Sequence, residues 1–337
     1  MKLEKTLTLL KIWFLEYFGT CKPINKKYID YEQIFLIIGH RGSPAEEPEN
    51  TIISFEKAIE QGANAIETDL CITKDNRVVL WHDWDPNETN SILRQARLEP
   101  TLKYRPHVPS ISNPFRKKTS ELTLDEFKSN YSYIQKDMKE FSINIEIPTL
   151  NKFFDWANEK QNLKAVFLDI KTPPNEKEFA LKIIEQIKSL IDKKTPHFKI
   201  IIETFYVHVL IEMKKNFPEL NYSLDIEPRF GFVLNPIVYS SARYAIKYHN
   251  AYAIPLKPRE ITIANWVTYR RIVKYDMKRK YRYNKKNSAK KIHAVIGCVI
   301  NKKEEMDCLI KMGISGIQTD YPKLLYEAAL KHAKKLS

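Results

Sequence analysis

Between positions 40 and 82 the chain places two histidines, an arginine and several carboxylates at spacings that suit chemistry on an anionic substrate: His40-Arg41, Glu49, Glu67-Thr68-Asp69 and His82-Asp83. Imidazoles titrate nearest neutral pH, so His40 and His82 are candidates for moving protons. Glu67 and Asp69 stand two apart, and in an extended strand a period of two sets them side by side. Buried without partners, such a pair repels and costs several kcal/mol or forces one acid to protonate. A hard divalent cation, Mg²⁺ or Ca²⁺, takes oxygen ligands and removes the conflict. An exposed edge strand with both acids solvated would remove it too.

For these groups to meet, regular elements must deliver them. The β-branched run 35–38 ends at Gly39-His40-Arg41-Gly42, where a strand gives way to a loop. Asn50 or Thr51 caps a helix running to 61, with Ile52, Phe55, Ala58 and Ile59 at helical spacing and Gly62 beyond its end. A strand at 65–72 follows, then a turn at Lys74-Asp75-Asn76 and a third strand at 77–81 that ends in His82-Asp83. Polar residues at each C-terminal strand end predict a parallel α/β barrel of the (β/α)8 TIM type, whose catalytic groups gather at that face. Further on, 149–158 reads as a helix and 164–170 as a fourth strand, in which Phe167, Asp169 and Lys171 share a face. Asp169 either joins the metal or simply pairs with Lys171. Alternation continues with helices at 176–191 and 206–216 and strands at 198–202, 221–226, 251–256 and 292–300. Glu203 ends one of these strands, facing the pocket or an ion-pair partner.

His40-Arg41-Gly42, Glu49-Asn50-Thr51, Ser54-Phe55, Gly62-Ala63, Glu67-Thr68-Asp69, Thr73-Lys74-Asp75 and His82-Asp83 follow in order the signature of glycerophosphodiester phosphodiesterases, which the chain therefore resembles. The resemblance continues through Leu122-Thr123-Leu124-Asp125-Glu126-Phe127, Ile147-Pro148-Thr149-Leu150, Leu168-Asp169-Ile170-Lys171 and 313–322, and so covers residues 35–330. Two positions depart from it. Asp169 stands where the family usually has Glu, which bears on the metal, and Cys298 stands where a Trp often lines the substrate pocket. The resemblance implies metal-dependent hydrolysis to glycerol 3-phosphate and an alcohol. In that chemistry the nucleophile is the substrate's own neighbouring hydroxyl, and water later opens a cyclic phosphate.

On this reading Glu67, Asp69 and Asp169 hold the metal, and Arg41 and Lys171 hold the remaining phosphate oxygens. One of His40 and His82 removes a proton and the other protonates the leaving alcohol. Glu49 supports Arg41, His40 or the metal shell. Two rivals stand beside it. A lysophospholipase D or sphingomyelinase D-like enzyme would use the same barrel on lipid at a membrane surface. A non-enzymatic protein would bind anionic lipid or nucleic acid.

The 337 residues suit one barrel with insertions. We expect an N-terminal amphipathic extension over 1–33 and the barrel over 34–337, with insertions at 84–121 and 270–291. The first twenty residues carry Leu3, Leu7, Leu10, Phe14 and Tyr17 or Phe18 on one stripe, suiting a helix docked on the barrel or lying on a membrane. Lys11 and Glu16 interrupt the apolar part, which speaks against a cleaved signal. No run of 18 apolar residues could span a bilayer. The stretch 84–121 reads as a long loop over the mouth, offering Trp84, Arg94, Arg97, Arg105 and Arg116 to a head group. Cys21, Cys71, Cys298 and Cys308 show no paired metal spacing and read as reduced thiols of a cytoplasmic protein, attached peripherally to a membrane in the sharper alternative. The net charge is +14, and 270–291 alone holds eleven bases against Asp276. Trp266, Tyr269, Val273 and Met277 form an apolar stripe there. Such a segment suits an anionic membrane surface, a solvated insertion or, less well, a nucleic acid.

Overall fold

Near-continuous burial along the strands decides the architecture, because each strand turns one set of side chains into a narrow barrel and the other toward a coat of helices. The computed structural model describes residues 21, 23–136, 145–224, 251–253, 255–256, 263–286 and 291–337. The N-terminal amphipathic stripe expected over 1–20 and the side chain of Trp266 lie outside the described residues. In chain order the strands are β1 (Leu36–His40), β2 (Ala65–Ile72), β3 (Val78–Leu80), β4 (Tyr104–His107), β5 (Ser132–Gln135), β6 (Ala165–Ile170), β7 (Lys199–Thr204), β8 (Asn221–Leu224), β9 (Ala251–Ala253), β10 (Pro255–Leu256), β11 (Ile296–Gly297) and β12 (Gly316–Thr319).

The main sheet runs β10-β11-β12-β1-β2-β6-β7-β8-β9, with parallel pairing throughout this order. β9 pairs with β8 and β10 with β11, and only residue 254 separates β9 from β10. The result is a TIM-type α/β barrel. Inside it, Leu36, Ile38, Ala65, Phe167, Ile201 and Ile296 form an apolar floor. The alternate residues, among them Ile37, Ile66, Leu70, Val166 and Leu168, meet helical residues such as Phe55, Phe153 and Ile183 in the larger core outside. Each fully buried side chain of this size contributes about 1.5–3 kcal/mol.

Three expectations are corrected. The third strand is not a barrel stave: β3 runs antiparallel to β2, with Leu70 opposite Leu80. The turn between them is too short for the dozen-residue crossover that parallel strands require. Thr73 closes it by accepting from the Arg77 amide at 3.0 Å, with Asn76 at φ 57°. The strand expected as fourth, β6, therefore lies directly against β2. The stretch 84–121 is not a bare loop. It contains the helix Thr89–Gln95 and β4, which pairs antiparallel with β5. Lastly, the cysteines are not all reduced thiols: Cys21 and Cys308 form a disulfide across 287 positions, whereas Cys71 and Cys298 are buried outside that bond. Such bonds persist in oxidising compartments, so the cysteines no longer support a cytoplasmic location.

Most of 270–291 falls in the helix Ile263–Lys286, which follows β10. Its inner face buries Tyr269, Ile272, Val273 and Met277, three of them from the expected stripe. No helix among the described residues is long and apolar enough to cross a membrane.

Candidate active site

The parallel register brings the acids together. His40, the last residue of β1, stands opposite Glu67 on β2, and Asp69 stands opposite Asp169 on β6. Asp169 in turn faces Glu203 on β7. Within the barrel the apolar floor ends at Ala65 and Phe167, and the next inward positions on the same strands are Glu67, Asp69 and Asp169. Carboxylate oxygens of these three buried residues lie within 4.8 Å of one another.

Arg41 sits just past β1 with φ 56°, and that conformation aims its amide at Glu67 Oε2, 2.9 Å away. Gly42 follows at φ 94°, where an added Cβ would lie 2.4 Å from Ser54 Oγ, so only glycine fits this bend. The Arg41 side chain reaches Glu49 Oε2 at 2.7 Å and Asp69 Oδ2 at 3.0 Å. Asn50, also left-handed, donates its side-chain amide to Asp69 Oδ2 at 2.8 Å while its Oδ1 accepts from Thr68 Oγ1 and the Asp69 amide. Lys171 Nζ lies between Asp69 Oδ1 at 2.9 Å and Asp169 Oδ2 at 2.5 Å. Asp169 thus makes the ion pair with Lys171 and also belongs to the carboxylate cluster.

These neighbours set the charge states. Burial pushes the Asp69 carboxyl up, but Lys171 and Arg41 outweigh it and hold the group well below the usual range. Glu67 goes the other way: burial and the Asp69 charge drive it well above the usual range. A carboxyl driven toward its neutral form beside two others has room for a cation's charge. Asp169 Oδ1 is buried and accepts no hydrogen bond. Three clustered oxygen donors, one orphaned and one forced toward protonation, fit Mg²⁺ or Ca²⁺.

Each histidine has its Nδ1 held by a carboxylate: His40 by Asp320 Oδ1 and His82 by Asp83 Oδ1, both at 2.7 Å. With Nδ1 as donor, Nε2 is the ring nitrogen that carries the lone pair. His40 Nε2 lies 3.9 Å from Glu67 Oε2. Burial, together with Arg41, Arg94 and Lys171, holds His82 well below the ordinary imidazole range, and its side chain keeps 21% exposure. Asp83 is pushed up to about 6 by burial despite Arg94, whose Nε lies 3.0 Å away.

Arg94, offered by the sequence as a head-group contact, is buried and joins Glu49 and Glu99 as well as Asp83. Arg116 binds backbone carbonyls of Pro86 and Pro109 and so ties the excursion together. The sequence reading missed Asp320 and Asn50. Asp320 follows β12, accepts from Thr101 at 2.8 Å and Asn301 at 2.6 Å, and anchors His40. Its position just beyond the last strand was the available signal. Glu203 is buried and accepts from Gln318 Nε2 at 3.2 Å, while Cys298 Sγ donates to the same Gln318 at 2.7 Å.

A glycerophosphodiester phosphodiesterase from Caldanaerobacter subterraneus subsp. tengcongensis is 26% identical over 304 residues, 88% of this chain and 98% of that protein. A glycerophosphodiester phosphodiesterase domain-containing protein 4 from Macaca fascicularis is 33% identical over 160 residues, 46% of this chain, and this match spans 25% of that protein's length. Among solved structures, an Oleispira antarctica phosphodiesterase in complex with the product sn-glycerol-3-phosphate superposes with TM-score 0.59 at 16% identity, covering 89% of this chain and 97% of that one. The Thermotoga maritima glycerophosphodiester phosphodiesterase gives TM-score 0.55 at 20% identity, covering 87% and 97%. These two likenesses establish the shared fold. The model of the glycerophosphoryl diester phosphodiesterase family matches residues 40–324, from the first histidine to beyond Asp320, and the chain belongs to that family.

Proposed function

We propose that the protein hydrolyses glycerophosphodiesters to glycerol 3-phosphate and an alcohol, with a divalent cation, Mg²⁺ or Ca²⁺, held by Glu67, Asp69 and Asp169. The observation that carries this reading is the pair of histidines, each tethered through Nδ1 to its own carboxylate, beside one buried cluster of acids. When bound, the cation supplies Lewis-acid stabilisation of charge on the phosphoryl oxygens. Arg41 and Lys171 bring further positive charge to the same place, and Glu49 holds Arg41 in position.

His82, kept neutral by burial and its cationic neighbours, fits the base that takes the proton from the attacking hydroxyl. His40, flanked by Asp320 and Glu67, fits the acid that protonates the departing alcohol. Asp83 and Asp320 fix the ring orientations, so both Nε2 atoms are aimed before substrate arrives. The basic helix supports attraction to an anionic membrane surface, and the disulfide favours an oxidising compartment.

The test is turnover of glycerophosphocholine and lysophosphatidylcholine with Mg²⁺, with Ca²⁺ and with chelator. We expect the first substrate to be preferred and chelator to abolish turnover. His40→Ala and His82→Ala should each lower kcat by about 10²–10⁴-fold with melting temperature little changed. Normal rates in both variants would remove the acid–base assignment.

A further inference from the structure

Away from the carboxylates, the helix Ile263–Lys286 carries a run of exposed or half-buried bases, Lys274, Lys278, Arg282, Lys285 and Lys286. Its one acid, Asp276, is fully buried. Among the described residues no carboxylate pairs with Lys274, Arg282, Lys285 or Lys286. Lys26 and Lys27 extend the cluster, with Asp30 and Glu32 as the exposed acids beside them. Tyrosines stand among the bases: Tyr281 meets the Tyr28 ring edge-on at 5.2 Å, Lys278 Nζ lies 5.9 Å from that ring, and Tyr31 is 60% exposed.

Contacts in the C-terminal half of this helix fix which end of the barrel that half occupies. Lys280 Nζ donates to Gln33 Oε1 at 3.1 Å, ahead of β1. The Asn284 side chain donates to the Ile292 carbonyl at 2.8 Å and accepts from its amide at 2.9 Å, ahead of β11. His40 closes β1 at the other end, so at ~3.3 Å per residue roughly 20 Å of barrel height separates this foot from the mouth.

Building on the phosphodiesterase reading, we infer that this foot docks on an anionic lipid bilayer with the mouth turned to water. The substrate is then a water-soluble, deacylated glycerophosphodiester, because a lipid held in the membrane cannot reach a site on the far end of the barrel. Lysines interleaved with tyrosines suit a head-group layer, where charge meets phosphate and the rings sit at the boundary. The sequence before Cys21 carries Leu3, Leu7, Leu10 and Phe14 at helical spacing, an apolar pattern that suits acyl chains better than phosphates. The disulfide to Cys308 ties that segment to the barrel seven positions before Tyr28.

The experiment uses the full chain with vesicles of phosphatidylcholine alone and of phosphatidylcholine mixed with phosphatidylserine. A second protein carries Lys274→Gln, Lys278→Gln, Arg282→Gln, Lys285→Gln and Lys286→Gln. We expect sedimentation with the mixed vesicles only, loss at high salt, and at least about tenfold weaker binding by the variant. Glycerophosphocholine turnover should be equal in both proteins and unchanged by vesicles. Binding that ignores phosphatidylserine or survives the substitutions overturns the docking surface. A comparable gel shift of single-stranded RNA by the full chain, abolished in the variant, overturns the choice of partner. Cleavage of lysophosphatidylcholine in the vesicles as fast as glycerophosphocholine overturns the orientation. Failure to cleave glycerophosphocholine without vesicles overturns the phosphodiesterase reading itself, while vesicle binding still measures docking separately.

Discussion

At the mouth, Arg41, Asp69, Arg94 and Glu49 are buried and joined to one another through opposite charges, whereas at the foot Lys274, Arg282, Lys285 and Lys286 face water. Ionised groups in a low dielectric are costly singly and tolerable in networks, so the mouth residues depend on one another. Exposed bases are screened and act independently, so the foot can gain or lose a charge with little effect on folding. The difference separates residues that hold one another in place from residues that the fold leaves to solvent.

The largest effect that would break this contrast is Arg41→Met. It leaves Asp69 and Glu49 without a central cation and should lower unfolding stability by about 3–5 kcal/mol in urea titrations. A loss below about 1 kcal/mol would mean that the network is not interdependent.

The two ends also differ in how pH acts on their buried groups. Asp83, raised to about 6 by burial against the pull of Arg94, binds a proton in the fold more readily than in the unfolded chain. Its contribution is therefore present below about pH 4 and lost as pH rises toward 6, up to roughly 3 kcal/mol. Lys280 at the foot is lowered to about 8 by burial, against the opposing charge of Asp30. Its contribution is present above about pH 10 and lost as pH falls toward 8, by a similar amount. Asp83→Asn should flatten the acid limb and Lys280→Met the alkaline limb of stability against pH. Unchanged slopes in either variant would show that the group titrates normally. The smallest effect belongs to Lys285→Gln with Lys286→Gln, expected within about 0.5 kcal/mol of the parent by the same unfolding measurement.

Much of the mouth was readable from local pattern. The alternation over 65–72 put Glu67 and Asp69 on one face, and the structure brings Asp169 to the same cluster. Thr51 caps its helix by accepting from the Ser54 amide, as its place before an apolar period of three to four residues implies. The antiparallel β3 was less legible, because a short apolar run shows its length and not the direction of its partner. Asp320 and Arg94 were hidden for a different reason, since each acts on a residue distant in sequence.

By itself the sequence determined the periods, the caps and the turn residues, and hence which side chains share a face. Those are fixed by sterics within a few residues. Only the tertiary structure decided that His40 leans on Asp320, that Arg94 turns inward to Glu49, and that Cys21 meets Cys308. Such pairings depend on strand register and barrel curvature, which bring together groups that no local spacing relates.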